Sequence, residues 1–300
     1  MPDDAASDHP RDRIHALLIV CVLAVASLVI AFLGATPARV SSSDLLGDPR
    51  TPGDAAFIAS HRGGGATAPE NTLPAIRAAL GRGFDYVEVD VALTADRQPV
   101  LMHDATVDRT TNGHGRLSEM SLAQVRALDA GSWFDAEFAG TQVPTLQEFL
   151  DALTASGNRA IVELKGVWDE AAVVAAIGEI SARSLEPRVA IASFDARTLA
   201  QVSAASEVVA RLLILKHVPD DVVLAAAEAG VRGILVDRKA VLARPEMIDD
   251  VHAAGVRIVV YTLNRDSQWD AVTALGVDGI VTDDPGTLSR WQQATAHHGE

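Results

Sequence analysis

Tyr86-Val87-Glu88-Val89-Asp90-Val91 is the stretch on which the reading of this 300-residue chain turns. It is a short run rich in β-branched residues, of strand length, interrupted by two carboxylates. Side chains two apart on a strand share a face, so Glu88 and Asp90 aim at one spot. Upstream, Phe57-Ile58-Ala59 leads into His61-Arg62-Gly63 and then Pro69-Glu70-Asn71-Thr72. Downstream, Val100-Leu101-Met102 leads into His103-Asp104, and Ile161-Val162-Glu163-Leu164-Lys165 again places two charges, Glu163 and Lys165, on one strand face. Acids facing inward from apolar strands are costly to bury unpaired, and a cation is the usual remedy. These runs therefore read as the walls of a metal-assisted active site.

From Ala55 onward such runs alternate with amphipathic helical patterns. Strands are expected at 57–61, 86–92, 100–103, 160–165, 189–193, 211–215, 233–237, 256–261 and 279–282. Helices are expected at 73–80, 171–181, 196–204, 221–229, 245–254 and 267–275, several stopped by glycine at Gly81, Gly230, Gly255 or Gly276. This βα alternation fits a (β/α)8 TIM barrel, an α/β fold. A doubly wound sheet is the competitor, but the glycines after His61 lack the dinucleotide-loop spacing. Nine strands are one too many for the barrel. The link 94–99 is too short for a parallel crossover, so 100–103 is expected to run antiparallel beside the mouth. The long insertion that follows, with Trp133-Phe134, lies over that mouth and can serve as a lid; Trp133 is either packing or a wall of the substrate cleft.

The chain carries 25 Lys+Arg against 40 Asp+Glu, a net charge of −15, without a basic cluster. That argues against nucleic acid as a partner. A small phosphate ester stays open, because a bound cation reverses the local sign. The one cysteine, Cys21, excludes an intrachain disulfide and a cysteine metal site. Residues 1–13 read as a cytoplasmic tail and 14–34 as a transmembrane helix or signal anchor, since the apolar run is long enough to span a bilayer. Arg11 and Arg13 before it place the rest of the chain outside. The expected location is thus the cell membrane, single-pass with an extracytoplasmic catalytic domain, or secretion after cleavage near Ala35-Thr36-Pro37-Ala38. Residues 35–54 read as a linker, 55–290 as the barrel domain and 291–300 as a C-terminal tail.

Taken together, His-Arg-Gly at 61–63, Pro-Glu-Asn-Thr at 69–72, Glu-Val-Asp-Val at 88–91, His103-Asp104, Asp-Arg-Thr-Thr-Asn-Gly at 108–113, Glu-Leu-Lys at 163–165 and Gly-Val-Asp-Gly-Ile-Val-Thr-Asp-Asp-Pro at 276–285 resemble the glycerophosphodiester phosphodiesterases. The resemblance spans about residues 57–288 and is specific as a set. It implies a (β/α)8 barrel with one divalent cation, Ca²⁺ or Mg²⁺, that cleaves a small-molecule glycerophosphodiester to glycerol 3-phosphate and an alcohol. Carried over position by position, it implies metal ligands at Glu88, Asp90 and Glu163 and acid–base histidines at His61 and His103. Arg62 and Lys165 become phosphate-facing cations, and Glu70 and Asn71 support the ligands or touch substrate. Two departures stand out: a third glycine after His-Arg, and Tyr261-Thr262-Leu263-Asn264 where many relatives carry Trp before the Thr.

The chemistry suits these residue types. A hard cation held by carboxylates grips a phosphoryl oxygen, fixed cations offset developing charge, and two imidazoles titrate where proton transfer is needed. His15, His114, His217, His252 and His297-His298 lack a comparable setting. Asp283-Asp284-Pro285 reads as a helix N-cap with Pro285 at the first helical position. A lipid phosphodiesterase of lysophospholipase D or sphingomyelinase D type, or a non-catalytic barrel that binds a phospholipid headgroup, are the alternatives.

Overall fold

The computed structural model describes residues 45–296. Its strands are β1 (Phe57–Ser60), β2 (Tyr86–Leu93), β3 (Pro99–Leu101), β4 (Arg159–Leu164), β5 (Val189–Ser193), β6 (Ala210–Leu215), β7 (Gly233–Asp237), β8 (Arg257–Tyr261) and β9 (Gly279–Thr282). All except β3 run parallel, and β1 pairs with both β2 and β9, so eight strands close into the expected barrel. β3 pairs antiparallel with the end of β2. The cause is the tight turn between them, where Thr94 N–H donates to Gln98 O at 3.1 Å and Arg97 takes a left-handed φ of 61°.

Ten helices cover the outside among the described residues: α1 (Leu73–Arg82), α2 (Leu122–Arg126), α3 (Leu146–Thr154), α4 (Glu170–Ser181), α5 (Ala196–Ala205), α6 (Val222–Glu228), α7 (Arg238–Ala243), α8 (Met247–Ala253), α9 (Asp266–Thr273) and α10 (Pro285–Ala296). The period of two sorts each strand. On β2, Val87, Val89 and Val91 pack outward in the core shared with the helices, which leaves Tyr86, Glu88 and Asp90 facing the lumen from base to mouth. On β4, Ala160, Val162 and Leu164 pack outward, and Ile161 and Glu163 face in. Helix α1 continues past Gly81 to Arg82 and stops at Gly83, which takes φ 70°. Gly81 is therefore not the terminator, because the left-handed position falls two residues later.

Small residues make room in the lumen. A Cβ on Gly279 would fall 2.2 Å from the Phe57 ring, and one on Gly233 would fall 2.7 Å from Leu212 and 3.0 Å from Leu46. Phe57 and Tyr86 fill the base, ring centroids 4.6 Å apart. Leu45 and Leu46 join them fully buried, although the sequence places them in a linker. Polar bonds hold this plug: Tyr86 Oη donates to Leu45 O, as does Arg159 Nη1 at 3.0 Å, and Arg257 Nε reaches Gly47 O at 2.8 Å. Residues from Leu45 to Asp54 are thus part of the barrel body, and the C-terminal stretch read as a tail is helical to Ala296. Within it Gln292 Nε2 donates to Ala56 O at 2.7 Å. Truncating Leu45 to Ala should cost about 2–4 kcal/mol, read as a lower denaturant midpoint at unchanged slope.

Among the described residues no helix is long and apolar enough to cross a membrane, and the span expected at 14–34 lies outside them. The insertion after β3 has a small core of its own around Val107, Leu117, Val125 and Val143. Trp133, in the same insertion but outside that core and 39% exposed, donates Nε1–H to Ala130 O at 2.9 Å and meets Phe134 edge-on, and it lines neither the cavity at the barrel mouth nor the cleft beside it.

Candidate active site

The strand register builds the acidic cluster. Asp90 on β2 pairs with Glu163 on β4, so both stand at one level of the lumen, with Glu88 two residues nearer the base. Carboxylate oxygens of Glu88, Asp90 and Glu163 lie within 4.8 Å of one another. Glu88 and Asp90 are buried, at 4% and 1% exposure. Burial, then the Asp90 charge, pushes the Glu88 carboxyl up to about 8 and that of Glu163 up to about 7. Burial acts on Asp90 too, but Arg62 and then Lys165 outweigh it and hold that carboxyl below its usual range.

Two left-handed residues hold the cluster. Arg62 has φ 54° and donates its backbone N–H to Glu88 Oε2 at 2.9 Å, while its Nε lies 3.1 Å from Asp90 Oδ2. Asn71 has φ 55°, donates Nδ2–H to Asp90 Oδ2 at 2.9 Å, and accepts from Asp90 N at 3.1 Å. Asn71 N–H also donates to Arg62 O at 2.9 Å, closing the ring of bonds. Gly63 must be glycine: its φ is 84°, and a Cβ would meet the start of α1 at 2.9 Å. Lys165 Nζ lies 2.9 Å from Glu163 Oε1, 3.6 Å from Asp90 Oδ1 and 5.7 Å from the Phe194 ring centroid.

Each histidine is backed by an aspartate. His61 Nδ1 lies 2.6 Å from Asp283 Oδ1, and Asp283 Oδ2 accepts from Asn264 Nδ2 at 2.6 Å. His103 Nδ1 lies 2.6 Å from Asp104 Oδ1, and Asp104 Oδ2 accepts from Arg109 Nε at 2.7 Å. Arg109 then grips both oxygens of Glu70, and Glu70 accepts from Arg62 Nη1 at 2.7 Å. Burial pulls the His61 imidazole down, but the Asp283 bond and the Glu88 charge leave it above its usual value. Burial leaves His103 below its own, in spite of Asp90. Both histidines, Arg62, the three carboxylates and Lys165 line one cavity of about 230 Å³, closed toward the lumen by Ile214, Leu235 and Val281.

All nine expected site residues therefore converge, though Arg62 and Lys165 touch the carboxylates and Glu70 is a brace between two arginines. Sequence reasoning missed Asp283, Asn264, Asp104 and Arg109. Asp104 was visible beside His103. Asp283 was hidden by the helix-cap reading, which belongs to Asp284 alone: its Oδ1 accepts from Thr287 N at 2.9 Å. Asp283 is a positioning residue for His61. Asp283→Asn should lower kcat about 10–100-fold. Because the carboxylate raises His61, its loss should move the His61 limb of the pH–rate profile to lower pH.

The donors fit a hard divalent cation. All are carboxylate oxygens, and Glu163 Oε1 is buried without a hydrogen bond, since the nearby Lys165 ammonium is poorly aimed at it. The raised carboxyls also set a sign. Between pH 4.5 and about 8 the folded, cation-free protein holds a proton at Glu88 that the unfolded chain releases, so stability drops as pH rises through that window. Chelator-treated protein should melt lower at pH 8 than at pH 5, by an effect on the order of a few kcal/mol. Glu88→Gln should flatten the slope and abolish the gain in melting temperature on adding cation at pH 8.

A closed parallel barrel with an acid cluster that could hold a metal ion at its mouth, beside two histidines, places the chain among the TIM-barrel enzymes. The model of the glycerophosphoryl diester phosphodiesterase family matches residues 61–287, and the chain belongs to that family. A glycerophosphodiester phosphodiesterase of Caldanaerobacter subterraneus subsp. tengcongensis is 32% identical over 253 residues, covering 77% of this chain and 96% of that protein. A crystal structure from Silicibacter pomeroyi superimposes with TM-score 0.74 at 27% identity, over 84% of this chain and 97% of that one. An Oleispira antarctica phosphodiesterase, solved with its product sn-glycerol-3-phosphate, gives TM-score 0.72 at 27% identity, over 79% and 96%.

Proposed function

We propose that this enzyme hydrolyses glycerophosphodiesters to glycerol 3-phosphate and an alcohol, using one divalent cation, Ca²⁺ or Mg²⁺, on Glu88, Asp90 and Glu163. The observation that carries the reading is the three-carboxylate cluster flanked by two aspartate-backed histidines in one cavity of a family barrel. The product seen in the Oleispira relative supports the substrate class. When bound, the cation polarises a phosphoryl oxygen and fixes the diester. Arg62 and Lys165 hold the anionic phosphate and offset charge that builds on its equatorial oxygens. One histidine takes the proton of the attacking oxygen, and the other gives a proton to the departing alkoxide; water as the attacker gives glycerol 3-phosphate directly, and a neighbouring glycerol hydroxyl gives a cyclic phosphate that a water then opens. Asp283 and Asp104 fix the ring orientations, each by a bond to Nδ1 that leaves Nε2 for proton transfer.

The test is glycerol 3-phosphate release from glycerophosphocholine by the full chain, with EDTA and after cation is restored. Release that persists in EDTA would overturn the metal-assisted reading. A lipid phosphodiester is the second reading, favoured by Val167 and Phe194, which stand 85% and 48% exposed at the mouth. Faster turnover of lysophosphatidylcholine than of glycerophosphocholine would establish it. The same proposal keeps the barrel outside the cytoplasmic membrane, tethered by 14–34 or secreted; recovery of the chain in the cytosolic fraction would refute that.

A further inference from the structure

A second cleft, of about 590 Å³, opens beside the phosphate cavity and shares His103 and Lys165 with it. Its walls come from three places: the β2–β3 turn (Leu93, Arg97), the insertion (Arg116, Leu117) and the loop after β4 (Val167). The inner cavity is closed by lumen side chains and has room for one compact, invariant group. The outer cleft is more than twice as large, so it can take the part of a diester that varies, the alcohol. His103, on the wall common to both, then stands beside the departing oxygen.

The charge of the outer cleft is distinctive. Arg116 is exposed and its guanidinium makes no hydrogen bond or ion pair among the described residues. Arg97, in the β2–β3 turn, has an exposed partner, Asp169. The lining carboxylate, Asp104, is already taken by His103 and Arg109. No lining residue is Phe, Tyr or Trp. A quaternary ammonium group is recognised by aromatic faces or free carboxylates, and this cleft offers neither. Two arginines instead suit an anion, which they bind by charge-assisted forked bonds. This local positive charge stands in a chain of net charge −15, so it is not a reflection of overall composition.

We infer that the outer cleft is the alcohol subsite and that Arg116, with Arg97, selects glycerophosphodiesters whose alcohol carries its own anionic group, a carboxylate or a second phosphate. The inference rests on the phosphodiesterase reading above and adds to it the polarity of the leaving alcohol. Three synthetic diesters of glycerol 3-phosphate test it with the full chain at saturating cation and low salt: those of glycolate, ethylene glycol and choline. Wild type should give kcat/KM in that order, with about tenfold between glycolate and choline. Arg116→Glu should lower the glycolate-to-choline ratio by at least about tenfold, chiefly through KM, and Arg97→Gln should lower it less because that side chain is already paired. About 1 M salt should compress the wild-type ratio toward one. Equal kcat/KM for the three diesters, or a ratio that Arg116→Glu leaves in place, would overturn the inference while the phosphodiesterase reading stands. No release from any of them would overturn both.

Discussion

Replacing Asp90 by Asn is expected to lower kcat/KM for glycerophosphodiesters by at least about a thousandfold, as is stripping the cation with EDTA. Asp90 is the hub of the site. It is buried, paired in register with Glu163, bonded by Asn71 and within ion-pair distance of both Arg62 and Lys165. Once deprotonated, as cation binding requires, three carboxylates against two side-chain cations leave one negative charge, which repels a diester. A divalent cation turns that into one positive charge, matching the single negative charge of a phosphodiester. Asn at position 90 keeps the shape but loses a ligand and the partner of both basic groups. Added cation should rescue the EDTA-treated wild type and not the variant. A near-normal melting temperature in Asp90→Asn would show that the loss is chemical; activity within tenfold of wild type would remove Asp90 from the ligand set.

His103→Gln should lower kcat by about 10²–10⁴-fold with little change in KM, the range for loss of a positioned acid or base. Its imidazole is held by Asp104, which Arg109 holds in turn, and Arg109 is clamped on Glu70. The ring thus meets the phosphate in a fixed attitude. The leaving group tests the role. With p-nitrophenol in place of choline the departing oxygen needs no proton, so His103→Gln should recover most of its rate if His103 serves the departing alcohol. His61→Gln should stay impaired on both substrates. Recovery by His61→Gln alone would exchange the two roles.

Much of this was readable in one dimension. Alternation on β2 and β4 named which residues face the lumen, and an overly short link exposed β3 as antiparallel. What escaped had no local signature. Asp283 meets His61 across 222 positions, and only closure of β9 on β1 brings them together. Arg109 reads as one more charge in a turn until the fold sets it against Glu70. The dipeptide Leu45-Leu46 is too short to show any period, so its place under the barrel could come only from the closed lumen it fills. Helix α1 outran Gly81 because glycine within a helix costs only about 1 kcal/mol, less than a turn of packing returns.

The buried leucines before β1 also decide where the catalytic unit begins. A chain cut at Ala55, where the alternation of strands and helices starts, would lose Leu45 and Leu46 and open the floor of the barrel beneath Tyr86, Leu212 and Gly233. Three backbone-linked anchors would go with them, at Arg159, Arg257 and Asp278. A protease that nicks between Gly47 and Gly53 would leave that floor held by its noncovalent contacts alone. The shortest recombinant enzyme worth making therefore starts ahead of Leu45, ten residues before the repeating part of the fold is visible.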